Sequence, residues 1–295
     1  MNTFNILDKN ISTPMAAPLS DRNLNGHLEL ILKNGWTSAY VCPEMGGMVT
    51  RFQTMVNDEI KEILHFNKSD FENSWRKPKL WIPILMPFAW PDSIVRQHGW
   101  AREMPWVWEE STESSIMLSL NSNDIKDEQL LEELKKKFGE WLDFNYKIMI
   151  SVSEWALKYD INIKNNSDSD MLIAPWLHPY FKVDPKDQSS ITSNLPWFDL
   201  SNHSWKSGEA MFFKYPQGES AWFNIPGIWK ITMDCNPEFD TIVVWSKYNE
   251  KWEQEPYICI EPWVGGFGSI NDPDRRINVK PLKELHLGVD FILDQ

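Results

Sequence analysis

Apolar side chains recur at every second position along much of this chain, and that period decides what it can fold into. Tyr146, Ile148, Ile150 and Val152 alternate with smaller or polar residues, and Trp155, Leu157, Tyr159, Ile161 and Ile163 resume the alternation in the opposite phase. The change of phase predicts a bulge or bend near Ser153 and Glu154. Leu285, Leu287, Val289, Phe291 and Leu293 share one face of a further strand, and 28–32, 39–41, 116–120, 229–233, 241–245 and 257–260 read as shorter ones. Asn165, Asn166, Ser167 and Asp168 read as a turn. Each such strand has an apolar face to bury, so many of them in close succession predict an all-β fold, a sandwich or a barrel. Helical spacing is clear only over 127–138, where Leu130, Leu131 and Leu134 line one side. The stretch 184–223 is rich in Ser, Asn and Pro and reads as loop with short strands. No long Pro, Gly or Ser linker interrupts the 295 residues, so 1–295 reads as one domain.

Composition narrows the partners. A formal net charge of −13 disfavours nucleic acid and anionic membrane surfaces as partners, says little about neutral sugars and weakly disfavours phosphorylated ones. The 17 Trp residues must mostly be buried or line a groove, and aromatic faces suit the C–H patches of sugars as well as a plain core. Cys42, Cys235 and Cys259 are too few and too scattered for a disulfide framework or a zinc cluster and are expected to be buried free thiols. The histidines show no metal-ligand spacing, and no Gly-rich phosphate loop or GxSxG nucleophile turn is present. No apolar run reaches membrane-spanning length and the first residues lack a secretion-signal pattern, so a cytoplasmic protein, monomer or homodimer, is expected.

Three clusters of functional groups remain: Arg96-Gln97-His98-Gly99-Trp100-Ala101-Arg102, Trp176-Leu177-His178-Pro179-Tyr180-Phe181, and Glu261-Pro262-Trp263. Taken alone, His178 fits a core histidine better than a catalyst. Glu261 emerges from the apolar run Tyr-Ile-Cys-Ile, where an unpaired carboxylate is costly, so it is either salt-bridged or functional. Arg102 fits a ligand contact or an ion pair with an acid such as Glu109.

In their order along the chain, these clusters resemble the aldose 1-epimerase (mutarotase) superfamily. Pro43-Glu44-Met45-Gly46-Gly47 is similar to its early turn, Pro83-Ile84-Leu85-Met86-Pro87-Phe88 to its P-I-L-F-P segment, and Gln97-His98-Gly99-Trp100-Ala101-Arg102 with Trp106 to its Q-H-G-F-A-R…W block. His178-Pro179-Tyr180-Phe181 and Val243-Val244-Trp245 with Cys259-Ile260-Glu261-Pro262-Trp263 resemble its H-P-Y-F and V-V-W…C-x-E-P-W signatures, and 281–285 its closing segment. The resemblance implies a large antiparallel β-supersandwich and a cofactor-free isomerase that interconverts the α and β anomers of a hexose. It implies Glu261 as the base at the anomeric hydroxyl O1 and His178 as the acid at the ring oxygen O5. His98 and Arg102 would bind the sugar, with Gln97 and Trp263 from the same motifs and Asp199 supplying a hydroxyl contact. Close approach of Glu261 and His178 is expected to favour both charged forms.

Two neighbouring activities stay open. A glucose-6-phosphate 1-epimerase usually carries Arg-Gly-Gly before its I-P segment, where this chain reads Lys79-Leu80-Trp81-Ile82-Pro83. A carbohydrate-binding protein without turnover would account for the aromatics but not for His178 together with Glu261. A glycoside hydrolase or lyase on the same architecture ranks third.

Overall fold

The computed structural model describes residues 20–24, 26–67, 82–88, 98–138 and 143–294. Its largest sheet has eight antiparallel strands in the spatial order Thr192–Ser193, Ala221–Asn224, Lys230–Cys235, Glu284–Asp294, Ala156–Asn165, Phe144–Val152, Ser115–Asn121 and Val107–Ser111. The period-two pattern sets its register. Ile116, Ile150, Tyr159 and Val289 stand directly opposite one another across four strands, and Leu118, Ile148, Ile161 and Leu287 form the next row. All eight are buried. A slip of one residue would turn such a row to water, at about 1.5–3 kcal/mol per large apolar side chain, so the register is strongly specified. The change of phase after Val152 is a chain reversal rather than a bulge: 153–155 turn the chain back, with the Ser153 N–H donating to the Ala156 carbonyl at 2.9 Å, so that Ala156–Asn165 pairs antiparallel with Phe144–Val152.

A second sheet packs against the first. It holds Met211–Lys214, Thr241–Trp245, Tyr257–Trp263, Trp176–Leu177 and Ile84–Leu85 in that order, with Tyr180–Lys182 also pairing along Tyr257–Trp263. The strand Tyr257–Trp263 is buried at every position, which is why it reads as a continuous apolar run. Ile258 and Ile260 join the buried cluster that contains Ile148 and Phe291, and Phe181, opposite Ile258, brings its ring within 6.0 Å of Phe291. These contacts close the sandwich. Tyr257, Cys259, Glu261 and Trp263 alternate with Ile258 and Ile260 and take the other face. Tyr257 and Cys259 group there with Tyr180, and Trp263 with Trp176 and Val243, apart from the main cluster.

A five-stranded sheet, Ser20–Leu24, His27–Asn34, Thr37–Cys42, Met48–Val56 and Glu59–Glu62, runs in chain order and adds Leu30, Val41 and Phe52 to the main cluster. The helix forms as its pattern predicts, at Glu128–Phe138, with the Asp127 carboxylate accepting the Leu130 N–H at 3.0 Å as its cap and Leu134 buried. No helix among the described residues is long and apolar enough to cross a membrane.

Candidate active site

The ladder of the second sheet brings the two expected catalytic residues face to face. Trp176 pairs with Trp263, and Tyr180 pairs with Cys259. Two positions inward from either pair, His178 falls opposite Glu261. The ladder lapses there because the two residues that would donate around this pair, Pro179 and Pro262, have no N–H, while the His178 N–H points the other way, to the Pro83 carbonyl at 3.4 Å. Side chains opposed in this way stand about 5 Å apart at Cβ, close enough for an imidazole and a carboxylate to meet. His178 Nε2 lies 3.4 Å from Glu261 Oε1. The two residues are only 6% and 2% exposed.

Each member is held from the side. The indole N–H of Trp263 donates to Glu261 Oε2 at 2.9 Å, which fixes the carboxylate plane. The His178 ring stacks on Tyr180 at 4.6 Å and 6°, with the edges of Trp176 and Trp245 at 5.9 and 6.3 Å. Among the described residues, His178 Nδ1 and the Trp176 indole nitrogen are buried with no hydrogen-bond partner, so the site keeps polar capacity that a ligand's hydroxyls can satisfy.

His98 and Arg102 reach the same place from another segment. The His98 ring lies 5.6 Å from His178, edge-on, and 5.1 Å from Trp176. His98 has φ +75°, a conformation that side-chain-bearing residues avoid and that recurs at ligand sites. Gly99 follows at φ +67°, and a Cβ there would sit 2.0 Å from the Met86 carbonyl oxygen. Only glycine therefore lets this segment lie against the Pro83–Phe88 motif. Gly46 does the same for the early turn, since a Cβ on it would meet the Arg102 carbonyl oxygen at 2.2 Å. The two glycines in the recognised motifs thus seat the short 3₁₀ turn Ala101–Glu103, which carries the buried Arg102.

Electrostatics correct one expectation. Burial, more than the Trp263 hydrogen bond opposing it, raises the Glu261 carboxyl to about 8. Burial first, then the positive charges of His98 and Arg102, holds His178 well below its usual 6.5. Desolvation outweighs the attraction between the partners, so near neutral pH the pair is a protonated carboxyl beside a neutral imidazole. The proton inventory is nonetheless the same as in the ion pair: one exchangeable proton, held by Glu261 rather than by His178.

Cys259, two residues before Glu261 and on its face, completes a trio: the ligand atoms of His178, Cys259 and Glu261 lie within 4.8 Å of one another. Imidazole, thiolate and carboxylate suit a thiophilic cation such as zinc. Sequence spacing could not have shown this, because the ladder, not proximity in the chain, gathers the three. The thiol is pushed well above its usual range by burial and by Glu261, which disfavours the thiolate a metal needs.

Of the remaining expected residues, Trp263 is in the site, and Gln97 lies outside the described residues together with Arg96, Lys79, Trp81 and Trp90. Asp199 is exposed, its carboxylate accepts the Ser201 N–H at 2.8 Å, and no described hydrogen bond or ring contact links it to His178 or Glu261. Glu109 is taken by Lys147 at 3.0 Å and is not the partner of Arg102. Trp100 belongs to the core, packed on Phe144 and Tyr146. Cys42 and Cys259 are buried free thiols, and Cys235 is a free thiol only partly buried. Tyr180, Trp176 and Trp245 around His178 stand in the motifs named from the sequence but carry no site role there; their signal is their place at alternate positions on the strands flanking Tyr257–Trp263.

A sandwich of antiparallel sheets carrying a buried His–Glu pair on the outer face of its smaller sheet defines the class of the molecule. No protein-family model matches the chain, and no curated protein does. Solved structures do. A protein from Synechocystis sp. PCC 6803 superimposes with a TM-score of 0.73 at 19% identity over 98% of this chain and 99% of that one. The galactose mutarotase related enzyme of Lactobacillus acidophilus gives 0.65 at 17% identity, covering 90% of this chain and 97% of its own. An aldose epimerase homologue from C. elegans gives 0.66 at 11%, covering 90% and 98%. The fold is that of the galactose mutarotase-like proteins.

Proposed function

We propose that the chain is an aldose 1-epimerase that interconverts the anomers of a hexose by acid–base ring opening. The observation that carries the reading is the directly opposed, buried His178–Glu261 pair with its 3.4 Å separation. One proton must leave the anomeric hydroxyl while another reaches the ring oxygen. A dyad holding a single exchangeable proton supplies that balance without a net change of charge. With the proton on His178, Glu261 takes the proton of O1 and His178 Nε2 delivers one to O5. The C1–O5 bonding electrons pass to O5 as C1=O1 forms. Rotation about C1–C2 and closure by the reverse transfers give the other anomer and restore the pair. The proton resting on Glu261 in the free site reaches His178 by transfer within the pair. Such acid–base help contributes roughly a hundred- to ten-thousandfold. His98 and Arg102 orient the ring, and Trp263 keeps the carboxylate in plane.

The test is anomer exchange measured by one-dimensional NMR, with glucose, galactose and glucose 6-phosphate offered to the protein and to its Glu261→Gln and His178→Asn variants. Acceleration by the wild type and its loss in both variants support the reading. Full activity in either variant refutes the assignment of roles, and binding without acceleration makes the protein a sugar binder. Buried Arg102 beside the pair favours including the phosphorylated sugar. A preference for it would move the activity to the sugar-phosphate branch.

A further inference from the structure

The ring opening proposed above uses a nitrogen of His178 and an oxygen of Glu261 and has no need of sulfur. Cys259 nonetheless stands on the same face, two residues along the strand from Glu261, opposite Tyr180 on one side and Trp245 on the other. It is fully buried. The main core does not need it, because Ile258 and Ile260 supply that face of the strand. The ligand atoms of His178, Cys259 and Glu261 lie within 4.8 Å of one another, and among the described residues no other three His, Cys, Asp or Glu side chains meet in this way.

The spacing suits a cation. A hydrogen bond from nitrogen to oxygen usually spans about 2.9 Å, whereas His178 Nε2 and Glu261 Oε1 are 3.4 Å apart. Bonds of about 2.0–2.1 Å around a tetrahedral zinc set a nitrogen and an oxygen ligand roughly 3.3–3.4 Å apart. Oε1 is the oxygen left for a metal, because Oε2 already accepts the Trp263 indole N–H at 2.9 Å, the kind of outer contact that orients a ligating carboxylate. Sulfur bonds zinc at about 2.3 Å, so from a separation of at most 4.8 Å the third corner closes with an adjustment of about 1.2 Å or less. One coordination position is left for water. Burial pushes the thiol and the carboxyl up, so both hold protons in the metal-free site. A divalent cation replaces those two protons, which leave as it enters, and the net charge of the buried site does not change. The desolvation that opposes a lone thiolate therefore does not oppose a metal-bound one, and the charges of His98 and Arg102 meet no added charge.

We infer that His178, Cys259 and Glu261 form an inhibitory site for a thiophilic divalent cation, zinc above all, which switches the enzyme off by coordinating its acid and its base together. The inhibition rests on the proposed epimerase reading; binding of the cation does not. With the metal on His178 Nε2 and Glu261 Oε1, neither atom can hold or accept the proton that ring opening exchanges. The metal-free protein is the working form, and zinc and sugar compete for the same two atoms. Imidazole and thiolate select zinc over magnesium and calcium, which take oxygen ligands.

Chelator-stripped protein is titrated with zinc while NMR follows anomer exchange of glucose and galactose, and with cobalt(II) while the absorption spectrum is recorded. The wild type is compared with Cys259→Ala, Cys259→Ser and, at the partly buried thiol of the eight-stranded sheet, Cys235→Ser. Each protein is referred to its own metal-free rate, and thermal melts confirm folding. Zinc suppresses wild-type exchange, chelator restores it, magnesium at the same concentration has no effect, and cobalt gives the sulfur-to-metal charge-transfer band of a thiolate ligand. Both Cys259 variants need at least about tenfold more zinc for half-inhibition and lose the band, while Cys235→Ser behaves as the wild type. Exchange that ignores zinc, rises with it, or is inhibited equally in Cys259→Ala overturns the inference and leaves the epimerase reading intact. Should the metal-free protein turn over no sugar, that reading fails instead, and cobalt decides the site alone. A band that disappears in Cys259→Ala supports it; no band in the wild type, or one kept in the variant, overturns it.

Discussion

Replacing Glu261 by Gln removes the buried acid while keeping an acceptor for the Trp263 indole. In the folded chain the carboxyl titrates at about 8 against a usual 4.5. Between those values the native state holds a proton that the unfolded chain has lost, so stability falls as pH rises, by about 1.4 kcal/mol per unit. His178 acts oppositely. Its folded value is depressed below 6.5, so the unfolded chain binds the extra proton and stability rises with pH up to 6.5. The window from pH 6.5 to 8 therefore isolates Glu261, and the wild type loses about 2 kcal/mol across it. Glu261→Gln has no such slope, and at pH 7 it is the more stable protein by roughly 3 kcal/mol. Urea denaturation followed by tryptophan fluorescence at fixed pH steps reads both, as midpoints at constant m. A wild type whose stability is flat or rising through the window, or a Gln variant that keeps the wild-type slope, would refute the account of a protonated, desolvated carboxyl.

The same variant should be nearly inactive: Glu261→Gln and His178→Asn each lower kcat for anomer exchange at least a hundredfold, measured by NMR. The wild-type kcat/KM falls above about pH 8 as Glu261 in the free protein gives up the proton the pair shares. Gly99→Ala drives a Cβ into the Met86 carbonyl at a positive φ and lowers stability by roughly 1–3 kcal/mol, seen as a reduced melting temperature. Chelator treatment leaves the exchange rate unchanged; a fall restored by zinc would instead put a cation on His178, Cys259 and Glu261.

Much of this was legible in the order of residues because strands announce which face they bury. The alternation in Phe144–Val152, Ala156–Asn165 and Glu284–Asp294 named the core rows before any coordinate did. The site was legible as a set of motifs but not as a geometry. Nothing in the sequence says that 178 stands opposite 261, because register between strands about eighty residues apart depends on every turn between them. For the same reason Cys259 reads from the sequence only as a buried thiol, until the ladder shows its neighbours. Charge was misread because attraction between two groups can be guessed from their proximity, whereas desolvation depends on all that surrounds them. Asp199 lies in an irregular stretch with no strand to fix its direction, so the sequence names it by motif alone.

The His–Glu separation has a wider consequence. It is a rung of the sheet, set by main-chain pairing on either side at Trp176–Trp263 and Tyr180–Cys259. Its span owes nothing to the identity of the loops or to most side chains around it. A lineage can therefore replace nearly every surrounding residue, and with them the sugar it accommodates, while the reacting groups stay in mutual reach. Conversely, one inserted or deleted residue between Trp176 and Tyr180 would turn His178 away from its partner in a protein that still folds.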